Sequence, residues 1–428
     1  MFETILVFAA VLGFLVIAHE LGHFTVAKLA KVRVLEFGIG YPPKVLGFKR
    51  GETAYTINLL PLGGFVRMEG EDGPAESPRS FTSKPPLTRL AILAAGASIN
   101  AILPVFLLTA FFMIPRDVVR TDVTIVNVSP DSPAAAAGLL PGDVVVEADG
   151  REVDNSADLL ANIQRRMNAD ATWVVRRDGA LTAVVVRPDG SRPAEQGAVG
   201  IGIADARVTV TDVAPGSPAA QLGLRPGDTF VLVGNTRVLR PEVPAEASAE
   251  AFATNPGASV PVTVFRDGDY VTLTLTPSIG PLAGFESAER PIAKESLPVW
   301  KAVPASLVFM GDILVMTRNE IGRWFSGAGE VQLSGPVGIA QLTGEVAQGG
   351  ISPLLTWTAL LSLNLAIINL LPIPALDGGR IVFVLIELAR GGRRLAPEKE
   401  RLVHLAGFVL LMALVAVITI GDIQRLLS

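Results

Sequence analysis

The chain has 428 residues, of which 50% are hydrophobic and only 18% charged, and its mean hydropathy is +0.46, whereas soluble domains carry about 25% charged residues. That apolar content excludes a disordered chain, and a net charge of −5 with no long basic run argues against nucleic acid as a partner. With no cysteine there are no disulfides, cysteine zinc fingers or iron–sulfur clusters.

Four stretches stay apolar for the roughly 20 residues that a bilayer requires, so the chain reads as a polytopic α-helical membrane protein with four transmembrane helices. The first covers 1–27, uncharged from 4 to 18 and then interrupted by His19, Glu20 and His23. A signal peptide would carry Lys or Arg ahead of its apolar run and small residues at its end; this segment has only Glu3 ahead and three ionisable residues at its end, so it reads as retained. A basic loop follows at 28–89. Within it 53–59 alternates, 61–64 reads as a turn and 65–68 follows, the pattern of a β-hairpin. The second helix covers 90–115.

Beyond it the chain repeats itself at an offset of 85 residues. Ser132-Pro133-Ala134-Ala135 returns as Ser217-Pro218-Ala219-Ala220, and the Pro141-Gly142-Asp143 turn returns as Pro226-Gly227-Asp228. Each unit places an alternating strand, an Ala-rich helix, the Pro-Gly-Asp turn, a second strand and a hairpin around 177–179 or 266–268 in the same order. The two α+β units, 120–203 and 204–280, resemble tandem PDZ domains of the bacterial, permuted kind. Such domains take extended peptides along a sheet edge. Residues 199–202 are then either a carboxylate-binding loop or a glycine-softened linker.

Residues 281–350 mix apolar and charged residues, with Trp300, Phe309, Met316 and Trp324. They read as an amphipathic interfacial segment. The third helix covers 354–389 and the fourth 402–421. Lys and Arg crowd 28–89 and 390–401, so both loops should be cytoplasmic and the inserted repeat should lie on the other face.

The chemistry sits in the first helix. His19-Glu20-Leu21-Gly22-His23 is HExxH, in which two imidazoles at i and i+4 share a helix face and the glutamate reaches a water on the metal. The motif falls roughly 23 Å into the helix at 1.5 Å per residue, where ionisable groups are costly and functional by default. Catalytic zinc takes three protein ligands and leaves one position open. His404 is available as the third. Asp377 is the better candidate, because it closes a long uncharged run broken by Pro372 and Pro374.

HExxH in helix one, the Asn369…Pro372…Pro374…Leu376-Asp377-Gly378 pattern in helix three and an inserted PDZ pair together resemble the site-2 protease family of intramembrane zinc metalloproteases. The resemblance implies Zn2+ held by His19, His23 and Asp377, with Glu20 as general base. It implies that Asn369, Pro372 and Pro374 shape a substrate groove. Asn100 would stand near the active site as a donor to the oxyanion or substrate backbone; the alternative is a bridge between helices two and three. The hairpin in 28–89 would re-enter the membrane, and an edge strand at 53–59 would receive an unwound substrate. The implied substrate is a single-pass transmembrane protein, an anti-sigma factor already trimmed outside the membrane or a remnant signal peptide. The implied location is the bacterial inner membrane, with the PDZ pair on the periplasmic side. Inserted between helices two and three and apart from the candidate catalytic residues, the pair is expected to act as a size filter over the outer entrance, with peptide capture as the alternative. A membrane-anchored PDZ scaffold with an inactive metal site is the rival reading, and it leaves Glu20 without a purpose.

Overall fold

The computed structural model describes residues 2–71, 73, 77–118, 121–193, 196–205, 208–234, 236–238, 241–266, 269–289, 293–326, 334–393 and 397–427. The turn residues Asp267 and Gly268 and the basic residue Arg394 of the loop after helix three lie outside them. The chain divides into two compact units, one of Met1–Ile114, Ser296–Met310 and Gln332–Ser428, the other of Pro115–Glu295 and Gly311–Val331.

The first unit opens with helix α1 (Phe2–Leu29), which carries HExxH without a break and ends with Lys28 in its last turn, a charge that complements the helix dipole. Two long strands follow, β1 (Val34–Arg50) and β2 (Thr53–Met68). Each strand bends near its middle, so that the pair makes a sheet of four strand segments joined by three ladders. Residues 36–39 of β1 pair on one side with 54–57 and on the other with 64–67, while 44–50 pair with 53–58. The spatial order is therefore 64–68, 34–41, 53–60, 44–50. The expected hairpin of 53–59 on 65–68 is not what forms, because 34–41 lies between them. Segment 53–59 is consequently internal, and 64–68 takes the edge position. Proline explains the bends: Pro42, Pro43 and Pro61 fix φ and remove ladder donors at the two fold-back points. Helix α2 (Pro86–Met113) begins with proline at its first position, where the missing N–H costs nothing.

The second unit begins with β3 (Arg116–Val118) and then builds the repeat twice. The first copy comprises β4 (Val123–Val128), α3 (Pro133–Ala136), β5 (Val144–Ala148), β6 (Arg151–Glu152), α4 (Ser156–Arg165), β7 (Ala171–Arg177), β8 (Ala180–Val186) and β9 (Ile201–Asp205). Its sheet runs β8-β7-β5-β4-β9, antiparallel throughout, with β6 on β5. The second copy comprises β10 (Val208–Val213), α5 (Pro218–Leu222), β11 (Thr229–Val233), β12 (Thr236–Arg237), α6 (Val243–Thr254), β13 (Val260–Arg266), β14 (Asp269–Leu275) and β15 (Phe285–Glu289). Its order, β14-β13-β11-β10-β15, is the same. In each copy the closing strand arrives after the hairpin, so the copies extend to Asp205 and Glu289. Strand β16 (Ala293–Glu295) pairs with β3, bringing the unit's entry and exit together.

The recurring motif residues have physical tasks. Ser132 and Ser217 each cap the short helix after them by accepting from an amide three residues on. The aspartate of each Pro-Gly-Asp turn is buried and takes both prongs of an arginine from the following hairpin. Arg177 reaches Asp143 with 2.7 Å contacts, and Arg266 reaches Asp228 at 2.6 and 2.7 Å. Each copy has its own core, centred on Trp173, Ile125 and Leu159 in the first and on Phe230, Val262 and Leu275 in the second.

The remaining helices are α7 (Val299–Ser326), α8 (Pro336–Gln348), α9 (Ile351–Leu370), α10 (Asp377–Ala389) and α11 (Pro397–Leu427). Five described helices are long and apolar enough to cross a membrane: α1, α2, α7, α9 and α11. Four were expected; the addition is α7, whose charged residues are spaced widely enough to leave an apolar window. Yet Asp312, near its midpoint, accepts from Arg151 and from Arg165 at 3.4 Å within the second unit. An ionisable residue at that point is costly in hydrocarbon, so α7 qualifies as a span by length and composition alone. The expected third helix, 354–389, is two helices, α9 and α10, separated by the turn that Pro372 and Pro374 impose. Helix α2 packs against α1, α9 and α10, while α11 exposes Leu402, Leu405, Val409, Leu410 and Val417.

Candidate metal centre and active site

Helical spacing puts the His19 and His23 rings side by side, with their Nε2 atoms 3.2 Å apart. The third group comes from the first residue of α10: Asp377 Oδ2 lies 3.2 Å from His19 Nε2 and 3.3 Å from His23 Nε2. All three candidate ligand atoms fall within 4.8 Å of one another, and His404 is not among them. The donor set suits a zinc ion, two imidazoles and a carboxylate with room for a fourth position. An orphaned atom supports the fit. Asp377 Oδ2 is buried with no donor satisfying it apart from the two imidazole Nε2 atoms that converge on it, a costly state for a carboxylate oxygen that a cation relieves.

The surroundings aim the imidazoles. His23 Nδ1 donates to the Ile92 carbonyl at 2.8 Å, which leaves its Nε2 lone pair for a metal. His19 Nδ1 lies 3.4 Å from Nδ2 of Asn100, whose Oδ1 has no partner. Rotating that amide by half a turn presents Oδ1 to the ring, so that His19 Nδ1 donates and its Nε2 is also free to ligate. Asn100 therefore stands beside the histidines, between α1 and α2. The link to α9 runs through its backbone instead, where Ser362 Oγ donates to the Asn100 carbonyl at 2.8 Å. Close approach of α1 and α2 requires glycine here. A Cβ on Gly96 would lie 2.2 Å from His23 Nε2, and one on Gly22 would lie 2.5 Å from the Ala95 carbonyl oxygen.

These groups open onto a cavity of about 360 Å³ lined by His19, Glu20, His23, Asn100, Asn369 and Asp377, with one wall formed by the sheet segment 63–66 and Met68. Glu20 packs against that wall: a Cβ on Gly64 would lie 2.9 Å from its Cγ. Of the expected site residues, Pro372 and Pro374 do not line the cavity. They lie in the turn that delivers Asp377, where a Cβ on Gly378 would strike the Leu371 carbonyl oxygen at 2.1 Å. Two charged cavity residues had no sequence signal: Glu71 and Arg380, which are ion-paired. Neither had the buried pair Arg89–Glu387, at 2.7 Å, which joins α2 to α10. Their positions in sequence are too far apart for any spacing rule.

A family model described as peptidase family M50 matches residues 7–414. The chain belongs to peptidase family M50. Relatives extend over essentially the whole length. A zinc metalloprotease RasP from Geobacillus kaustophilus is 32% identical over 99% of this chain and 98% of that protein. The regulator of sigma-W protease RasP from Bacillus subtilis is 30% identical over 99% of both. The regulator of sigma E protease from Salmonella typhi is 31% identical over 98% of both. This M50 protein is accordingly a metalloprotease of the site-2 type and a multi-pass membrane protein.

Proposed function

We propose that this M50 chain is an intramembrane zinc endopeptidase that cuts transmembrane segments of single-pass proteins. The observation that carries the reading is the meeting of His19, His23 and Asp377, from two helices more than 350 residues apart in sequence, in one cavity with Glu20. His19, His23 and Asp377 hold the zinc. The bound ion supplies Lewis acidity, polarising a scissile carbonyl and lowering the pKa of water. Glu20 takes the proton of the attacking water and returns it to the leaving amide nitrogen. Asn100 orients His19. Asn369 lines the substrate's side of the cavity, and Pro372 and Pro374 shape the turn that presents Asp377.

A helical substrate hides its amides and must unwind before it can be cut. The sheet segment 64–68 borders the cavity and takes the role first assigned to 53–59. It receives the freed strand by β-addition, holding the scissile bond beside Glu20. The two inserted α+β units are PDZ domains that exclude substrates still carrying a bulky outer domain. The loops 28–89 and 390–401 are cytoplasmic and the inserted pair faces the periplasm of a bacterial inner membrane. The sigma-factor regulators among its relatives support an anti-sigma factor as substrate, with remnant signal peptides as a second class.

The test is Glu20→Gln in the full-length protein. Cleavage of a model transmembrane substrate should be abolished while bound zinc stays near one equivalent. Unchanged cleavage would refute the assignment of Glu20. A wild-type protein that holds zinc but cuts no transmembrane substrate would favour the scaffold reading.

A further inference from the structure

Ala375 has φ of +80°, the left-handed region that a residue with a Cβ enters only at a cost. It lies two residues before Asp377. The turn from α9 into α10 passes through Pro372 and Pro374, whose φ angles are fixed, so the abrupt change of direction falls on Ala375. Something must hold it there, and α11 does so at two points. The Ala375 amide donates to His404 Nδ1 at 2.9 Å. One turn further along, Gly407 lies so close to the same segment that a Cβ there would be 2.4 Å from Pro374 Cβ and 2.7 Å from the Pro374 carbonyl oxygen. The His404 ring also packs on Phe383 of α10, with ring centroids 5.3 Å apart.

We infer that His404 is a positioning residue for the metal ligand Asp377. Its Nδ1 accepts from the Ala375 amide, keeps that residue left-handed, and so holds the Asp377 carboxylate against His19 and His23. This inference rests on the zinc site proposed above. It gives the third histidine of the chain a task other than ligation, in the same way that metal ligands elsewhere depend on the groups behind them.

The experiment measures zinc affinity by chelator competition on the purified full-length protein, alongside kcat and KM for a transmembrane substrate. His404→Ala should weaken zinc retention about tenfold and lower kcat with KM little changed. His404→Asn, whose Oδ1 falls near the position of Nδ1, should stay within about threefold of wild type. His404→Gln, whose acceptor falls near Nε2 instead, should behave like the alanine variant. Adding Ala375→Gly to His404→Ala should restore most of the zinc affinity, because glycine occupies the left-handed region freely. A direct zinc ligand would not be rescued in this way, so failure of that rescue overturns the inference. Equal affinities for the Asn and Gln variants overturn it too, and this comparison stands even if the alanine variant does not fold. Asp377→Ala separates the two levels of the argument. If it retains zinc, the ligand set itself fails; if it loses zinc while His404→Ala and His404→Gln bind normally, only the positioning role fails.

Discussion

Arg380, one turn past Asp377, donates to the carboxylate of Glu71, and both side chains line the cavity that contains the three candidate ligands. Glu71 also accepts from the Met68 amide at the end of the sheet wall. The pair thus connects that wall to the helix bearing Asp377. Because Arg380 is 37% exposed, its contribution is closer to that of a surface pair, about 1 kcal/mol.

Glu71→Gln should therefore slow cleavage about fivefold with zinc retained, and the double reversal Glu71→Arg, Arg380→Glu should recover part of the loss. Cleavage assays with parallel zinc analysis decide this. Full activity in both Glu71→Gln and Arg380→Met would remove the pair from the working site.

Gly96 admits no side chain while His23 keeps its position. Gly96→Ala should displace His23 Nε2, weaken zinc retention at least tenfold and destabilise the fold by about 1–3 kcal/mol through overpacking. Chelator competition and thermal unfolding in detergent measure the two effects separately. Wild-type affinity in this variant would show that α1 and α2 separate without consequence for the site.

Arg89 and Glu387 are both largely buried and lie 2.7 Å apart. Removing one partner of such a pair leaves a charge without compensation and costs about 3–5 kcal/mol. Glu387→Leu should lower the unfolding temperature markedly, whereas Arg89→Met with Glu387→Leu should recover most of it. Equal destabilisation in the single and double variants would contradict a paired role.

The membrane topology tests how α7 is used. If α7 crossed the bilayer along with α1, α2, the α9–α10 pair and α11, the basic loops 28–89 and 390–401 would fall on opposite faces, against the positive-inside rule. With α7 interfacial, both are cytoplasmic. The chain has no native cysteine, so single cysteines at Ala157 and Arg393 report cleanly. An impermeant thiol reagent added to intact cells should label Ala157→Cys and spare Arg393→Cys. Labelling of both would make α7 a true span.

Much of the site was legible because its signals are local. HExxH is an i, i+4 pattern within one helix. Asp377 follows an uncharged run that two prolines must break, and the repeat declares itself in Ser-Pro-Ala-Ala and Pro-Gly-Asp. What escaped depends on register or on distant partners. Nothing in 53–68 says that 34–41 will lie between its halves, since strand order is settled by pairing across the sheet. Glu71 and Arg380 are 309 residues apart, and Arg89 and Glu387 are 298 apart, so no spacing marks them. His404 looked like a spare ligand because sequence shows a side chain's chemistry but not which backbone amide it meets.

The interlock of Gly22 on Ala95 and Gly96 on His23 has a mechanical corollary. With no methyl group to act as a spacer, α1 and α2 have no clearance in which to slide or roll past each other at the level of the histidines. Ser362 fastens α9 to the same pair through the Asn100 carbonyl. Three helices thus meet without a spacer on one side of the cavity, and its opposite wall is the folded-back segment 64–68.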